Sequence, residues 1–259
     1  MSGELLVGVG VGPGDPELLT VKGVRVLQQA DVVVVPAMEG SSRGRAERTV
    51  LEYVSAERIR RLTFALNERH DSARRERAWD AAGKTVVDAF ENGARTVAFA
   101  TIGDPNIYST FTYLAETVLG FRPDVEIATV PGITAMQELA AGSGTVLCEG
   151  DESLVLLPVT GDLAALHSAV EQFDNVVVYK GGARVGPVLD VLRSAGRIDG
   201  AVYGSHVGLP DQDIRPATAV DEATSPYLTT ILVPQAKTGR GRRLPSRDEK
   251  RSTNGSSQM

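Results

Sequence analysis

Cysteine is nearly absent from this chain of 259 residues, Cys148 being the only one. A single thiol excludes an intramolecular disulfide and a cysteine-bound metal cluster. Histidine is almost as scarce: His70, His167 and His206 are scattered, with no paired His/Glu spacing, so no metal site is expected. No run reaches the roughly 18 apolar residues that a membrane span needs. The first residues hold no basic region followed by an apolar segment, so a cytoplasmic protein is expected, with no membrane contact. Positive charge is short as well. With 27 Lys and Arg against 33 Asp and Glu the net charge is −6, which argues against general nucleic-acid binding.

What the chain does have is glycine placed directly after apolar runs. Leu5 to Pro36 reads LLVGVGVGPGDPELLTVKGVRVLQQADVVVVP. Gly8, Gly10, Gly12 and Gly14 alternate through the end of the first apolar run, with Pro13 between the last two. An amphipathic segment and a second apolar run, Val32 to Val35, follow. The pattern predicts strand, glycine loop, helix, strand, with a loop that lets a ligand approach the backbone. Asp15, Pro16 and Glu17 read as N-cap, N1 and N2 of a short helical turn, and Thr20 as the cap of the main helix.

The plan then repeats. Glu76–Glu91 carries Trp79, Ala82, Val86, Ala89 and Phe90 at helical spacing, with Trp79 expected as a core anchor. Thr96–Ile102 reads as a strand buried on both faces and runs into Gly103-Asp104-Pro105, and a helix is expected from Tyr108 to Val118. Pro123–Val130 predicts another strand, closed by Pro131-Gly132, and Ile133–Ala141 a helix. Later strands, at Ser153–Pro158, Asn175–Tyr179, Gly200–Val207 and Tyr227–Val233, have less helix between them, which suggests a mixed sheet and a second domain. We therefore expect an α/β protein of two α/β domains, residues 1–125 and 126–235. Residues 236–259 hold seven Lys/Arg against Asp248 and Glu249 and almost no apolar side chains, and are expected to form a disordered basic tail.

The obvious ligand for GVGVGPG is a nicotinamide dinucleotide, but the spacing refuses it. Counted from Gly8 or Gly10, the sixth position is Pro13 or Asp15, so no G-x-G-x-x-G is present. The ribose-binding acid is also misplaced, since Asp31 precedes the second strand instead of ending it. No G-x-x-x-x-G-K-[ST] phosphate loop and no G-x-S-x-G nucleophile elbow occurs. The residues alone reach an α/β enzyme with a glycine-lined, non-phosphate, small-molecule cleft. Between Arg43 and Arg77 ten arginines face six acids, which reads either as a solvated surface or as a rim for a polycarboxylate.

Three motifs occur in order: VGVGPGDPE with LLTVKG (Val9–Gly23), Gly103-Asp104-Pro105 with Tyr108-Ser109-Thr110, and Val130-Pro131-Gly132-Ile133-Thr134. Together they resemble the S-adenosylmethionine-dependent tetrapyrrole (corrin/porphyrin) methyltransferases, from about Glu4 to Gln235. IGDPNIYSTFTYL (Ile102–Leu114) and LCEGDESLVLLP (Leu147–Pro158) are most similar to the branch that methylates C20 of precorrin-2 or cobalt-precorrin-2. Phe64-Ala65-Leu66, and Ser205-His206 where a Glu-Arg pair is commoner, depart from the pattern outside the cofactor motifs.

The resemblance implies two α/β domains with the cofactor cleft between them, usually in a homodimer. It implies S-adenosyl-L-methionine as methyl donor, S-adenosyl-L-homocysteine as product, and a small tetrapyrrole as substrate. It places Pro13, Ile102, Gly103, Asp104, Ile107, Thr134, Ala135, Lys180, Gly208 and Thr229 on the cofactor. Core packing is the competing role for Ile102 and Ile107, and capping for Asp104. The arginine surplus, with Arg43 and Arg45 foremost, becomes a docking rim for the carboxylates of the substrate. Methylation at C11 or C17 is the alternative within the family. No catalytic base is assigned, since Glu149, Asp151, Tyr108 or water could take the C20 proton.

Overall fold

Runs of valine and alanine that are apolar at consecutive positions need cover on both faces, which a parallel sheet supplies. The computed structural model describes residues 3–37, 43–64, 72–221, 225–236 and 244, and these divide into two units, Met1–Thr134 and Ala135–Met259. In the first, β1 (Leu5–Gly10), β2 (Val32–Ala37), β3 (Ile59–Thr63), β4 (Thr96–Thr101) and β5 (Glu126–Val130) are all parallel, in the order β3-β2-β4-β1-β5. The strand alternation sorts side chains to two cores. Leu6, Val34 and Phe99 pack with Val86 of α3 (Ser72–Glu91) and Leu114 of α4 (Phe111–Phe121). Val7, Val9, Val33 and Val35 pack with Leu27 of α1 (Val21–Gln29) and Val50 of α2 (Arg45–Leu51).

In the second unit α5 (Ala135–Ser143) leads to β6 (Leu154–Pro158), α6 (Ala164–Gln172), β7 (Asn175–Tyr179), α7 (Val185–Ser194), β8 (Val202–Ser205), β9 (Asp213–Pro216) and β10 (Thr230–Val233). The order is β6-β7-β10-β8-β9. β6 and β7 are parallel, whereas β10 runs antiparallel to β7 and β8, and β9 antiparallel to β8. The sheet is mixed, as its short helix-free connections require. α6 and α7 cover one face through Leu166, Val188 and Leu192, and α5 covers the other through Leu139.

Several expectations differ from what folds. β5, assigned from sequence to the second domain, pairs with β1 from Leu5↔Glu126 to Val9↔Val130. β3 and β9 went unseen because IRRLT and DIRP carry charges. Both are edge strands, where one flank meets solvent and charge is tolerated. Trp79 does pack against the core on the α3–α4 side, but only half-buried, one face stacked on the exposed Tyr113 at 4.8 Å with the Arg75 guanidinium 5.9 Å from its ring. Of the predicted tail, residues 237–243 and 245–259 lie outside the described residues.

Candidate active site

The carboxyl ends of β1, β4 and β5 end level, with Gly10 opposite Thr101 and Val9 opposite Val130, so the three glycine motifs meet at one edge. Val11 N donates to Thr101 O at 2.9 Å and Gly103 N to Gly12 O at 2.8 Å. Gly12 and Gly103 have φ of +78° and +69°, a region that costs side-chain-bearing residues energy. The contacts are backbone on backbone. A Cβ on Gly10 would lie 2.6 Å from Gly132 Cα, and one on Gly132 would lie 2.1 Å from Gly103 O. Gly103 differs, since its Cβ position meets nothing nearer than Thr134 Cα at 4.0 Å. One flank of this junction is closed by glycines and the other is open.

Asp104, 8% exposed, holds the junction together. Its Oδ1 accepts from Asn106 N at 2.8 Å and its Oδ2 from Gly132 N at 2.9 Å. The capping role that competed with cofactor contact is therefore present, and Asp104 shapes the loops from inside. Pro13 is buried, Ile102 packs against the core on the α1 side, Ile107 and Ala135 are half-buried, and Thr134 is buried. Asp15 and Thr20 cap as their positions predict, accepting from Glu17 N at 2.9 Å and Gly23 N at 3.0 Å.

Just beyond, Tyr108 is held with φ +52° and its side chain remains 44% exposed. Sequence reasoning missed what holds it. Ser109 Oγ lies 3.0 Å from Thr101 Oγ1 and accepts from Phe111 N at 3.2 Å, which pins the chain immediately after the strained residue. Partial burial pushes the Tyr108 phenol above its ordinary pKa of 10.0, so it stays protonated at neutral pH and is a poor base.

Two hydrogen bonds tie α2 and the turn after it to the glycine loop and the short helical turn that follows, Thr49 Oγ1 donating to Gly14 O at 3.2 Å and Tyr53 OH to Pro16 O at 2.8 Å. Arg43 and Arg45 stand at the amino end of α2, after the carboxyl end of β2. Arg43 is exposed and 3.9 Å from Glu47, which Arg61 holds in a two-point contact of 2.9 and 2.9 Å. Other arginines of the surplus are structural: Arg58 Nη1 donates to Gln28 O and Ala30 O. Arg69 lies outside the described residues.

In the second unit the register aligns Tyr179, Thr230 and Gly204 in one row, so Lys180, Thr229 and the loop after β8 share one edge of the sheet. Lys180 and His206 both adopt left-handed φ, +59° and +50°, and Gly208 has φ +79°. Thr229 is 1% exposed, and its hydroxyl donates to Pro226 O at 2.7 Å within a network through Ser225 to Tyr203 OH. Glu149 and Asp151 precede β6 and therefore lie at the opposite edge, where Asn175 Nδ2 donates to Glu152 Oε2 at 3.2 Å.

The first unit's loops carry no Lys or Arg in residues 8–16, 102–107 or 130–135. An open flank at Gly103, backbone polar groups and the half-buried Ile102 and Ile107 suit a neutral adenosine with an amino-acid tail, and they offer a phosphate no cation.

A family model described as Tetrapyrrole (Corrin/Porphyrin) Methylases matches residues 5–222. A precorrin-2 C(20)-methyltransferase of Sinorhizobium is 34% identical, over 88% of this chain and 94% of the relative. A cobalt-precorrin-2 C(20)-methyltransferase of Salmonella typhimurium is 30% identical, over 90% and 97%. Among solved structures, uroporphyrin-III C-methyltransferase from Thermus thermophilus, in complex with S-adenosylhomocysteine, superposes with a TM-score of 0.63 at 21% identity. That match covers 88% of this chain and 96% of the other, and concerns the fold.

Proposed function

The chain belongs to the tetrapyrrole (corrin/porphyrin) methylases, and we propose that within this family it transfers a methyl group from S-adenosyl-L-methionine to C20 of precorrin-2 or cobalt-precorrin-2, a step of corrin-ring biosynthesis for cobalamin. The observation that carries this is the cation-free glycine junction at the carboxyl edge of β1, β4 and β5, closed on one side by Gly10 and Gly132 and open at Gly103. S-adenosylmethionine supplies a methyl group already activated on sulfonium, so the protein needs no nucleophile of its own.

Pro13, Ile102, Gly103, Ile107, Thr134 and Ala135 are proposed to hold the cofactor at this edge, with Asp104 fixing the loops that do so. Lys180 and Gly208, on loops of the second unit, are proposed as further contacts, and buried Thr229 as support for them. Alignment of donor and acceptor in a dry site is worth about 7–11 kcal/mol of the barrier. Arg43 and Arg45 are proposed to receive carboxylates of the tetrapyrrole, because guanidinium forks match carboxylates at two points. The protein is proposed to act in the cytoplasm as a homodimer.

Incubation with precorrin-2 and cofactor labelled in its methyl group, followed by NMR of the product, tests the assignment. Label at C20 supports it, and label at C11 or C17 replaces it with the other positional reading. Arg43→Ala and Arg45→Ala should each raise KM for precorrin-2 about tenfold while leaving the affinity for S-adenosylhomocysteine unchanged, since one charge-assisted contact is worth about 1.5 kcal/mol.

A further inference from the structure

Side-chain oxygens grip each of the three loops at the carboxyl edge of the first unit. Asp104 takes the β5 loop through Gly132 N, and the Thr101 and Ser109 hydroxyls lie 3.0 Å apart across the β4 loop. The β1 loop carries Pro13 and has few donors with which to fix itself, because neither Pro13 nor Pro16 has an N–H. Its grip comes from α2 and the turn after it. Thr49, 0% exposed, donates from Oγ1 to Gly14 O at 3.2 Å, sharing the proton with Arg45 O at 3.3 Å. The half-buried Tyr53 donates its hydroxyl to Pro16 O at 2.8 Å, and Pro16 O also accepts from Leu19 N at 3.1 Å. Thr49 needs no second acceptor for its own sake. The carbonyl four residues back satisfies a buried threonine, and valine fills the same space with no polar group to bury. Reaching a carbonyl 35 residues away serves the loop.

Resting on the cofactor reading above, we propose that Thr49 and Tyr53 are positioning residues for the methyl donor, holding the Gly14 and Pro16 carbonyls so that Pro13 stands in its place before the ligand arrives. They act through the loop and not on the ligand. Gly12 is already held, its carbonyl accepting from Gly103 N at 2.8 Å. With Gly14 and Pro16 pinned as well, the loop is fixed at three carbonyls, one before Pro13 and two after it. A loop with fewer restraints samples other positions, and apparent affinity falls with the population of the competent one. The chemical step keeps its barrier, because the geometry is the same once the ligand is bound. Loss of either hydroxyl therefore acts on cofactor binding and spares turnover.

Thr49→Val and Tyr53→Phe each remove one hydroxyl and keep most of the side chain. Each should raise the Kd for S-adenosylhomocysteine, by calorimetry, and the KM for S-adenosylmethionine about five- to tenfold. At saturating cofactor, kcat and the KM for precorrin-2 should change less than about twofold. Thr49→Ser restores the hydroxyl and should bring the affinity back to within about twofold of wild type. Denaturant unfolding, run beside the titrations, separates folding from positioning. Tyr53→Phe, at a half-buried position, decides the matter if Thr49→Val does not fold. An affinity within twofold of wild type in a folded but less stable variant overturns the inference, since the hydroxyls would then be staples of α2 alone. So does a rise in the KM for precorrin-2 equal to that for the cofactor, or Thr49→Ser binding as weakly as Thr49→Val. A wild-type protein that binds no S-adenosylhomocysteine overturns the cofactor reading and this inference with it. Equal binding by wild type and variants overturns this inference alone.

Discussion

The two edges of each sheet are built from different chemistry. At the amino edges, ionised side chains staple the backbone. Asp31 Oδ2 accepts from Arg95 N and Thr96 N at 2.7 and 2.9 Å, and Glu4 holds Arg122 at 2.9 and 2.7 Å. In the second unit, Asp174 Oδ2 accepts from Ser153 N at 2.8 Å and Ser153 Oγ at 2.7 Å. Each unit also ends a helix with an arginine. Arg58 donates to Gln28 O and Ala30 O past α1, and Arg197 to Val170 O at 2.7 Å and Asp174 O at 2.6 Å past α6. A cation there meets unpaired carbonyls and the negative end of the helix dipole. The carboxyl edges add backbone-on-backbone glycine packing and left-handed residues that are not glycine, Tyr108, Lys180 and His206, with the Asp104 carboxylate bracing the first unit's loops. The amino edges hold the sheets, and the carboxyl edges are shaped to receive a ligand, where α/β sheets bind theirs.

The sharpest way to break this contrast is at Gly132. A methyl group there would lie 2.1 Å from a backbone oxygen, so the β4 and β5 loops must separate. Gly132→Ala should reduce affinity for S-adenosylhomocysteine more than about 100-fold, and overpacking should cost about 3 kcal/mol of stability. Calorimetry and denaturant unfolding separate the two effects. Unchanged affinity in a folded variant would show that this edge does not hold the cofactor.

Arg197→Ala is the counterpart at an amino edge. It leaves helix-end carbonyls without their donor, and the loss of charged hydrogen bonds should cost about 2–3 kcal/mol of stability. At 25 °C, kcat and both KM values should stay within twofold of wild type. A kinetic defect equal to that of the carboxyl-edge variant would erase the distinction.

The carboxyl edge was the more legible of the two in the sequence. Gly10 and Gly132 announce close approach and Gly12 and Gly103 a left-handed backbone, both of which favour glycine, and three such motifs in order reach the family. Asp104 was legible as a residue of the site, although its contacts with Asn106 N and Gly132 N depend on where β5 ends. The amino-edge staples were nearly invisible. Arg58 read as one of ten arginines, and nothing local marks Arg197, whose acceptors are 23 and 27 residues away. The edge strands β3 and β9 failed for a related reason, since solvent on one flank removes the apolar run that betrays a buried strand. Asp31 was noticed only as an acid in the wrong place for a ribose.

That misplaced acid gives the mildest test. Two backbone N–H groups, Thr96 foremost and then Arg95, hold the Asp31 carboxyl below its ordinary value of 3.8, with the nearby Arg58 charge adding to the effect. A carboxylate whose folded pKa is depressed favours the folded state wherever the unfolded chain is also ionised. Its contribution is therefore full above about pH 3.8 and is lost as pH falls through the folded value. Asp31→Asn should melt below wild type at pH 7 by about 2 °C, a small shift because the group is largely exposed to water. The two melting curves should converge as the pH falls below 3.8 and on through the lower folded value, where folded wild type too loses its charge. Affinity for S-adenosylhomocysteine should be the same in both proteins at pH 7. A constant gap down to pH 2 would mean that Asp31 acts through its shape and not its ionisation, and would remove charge from the account of that edge.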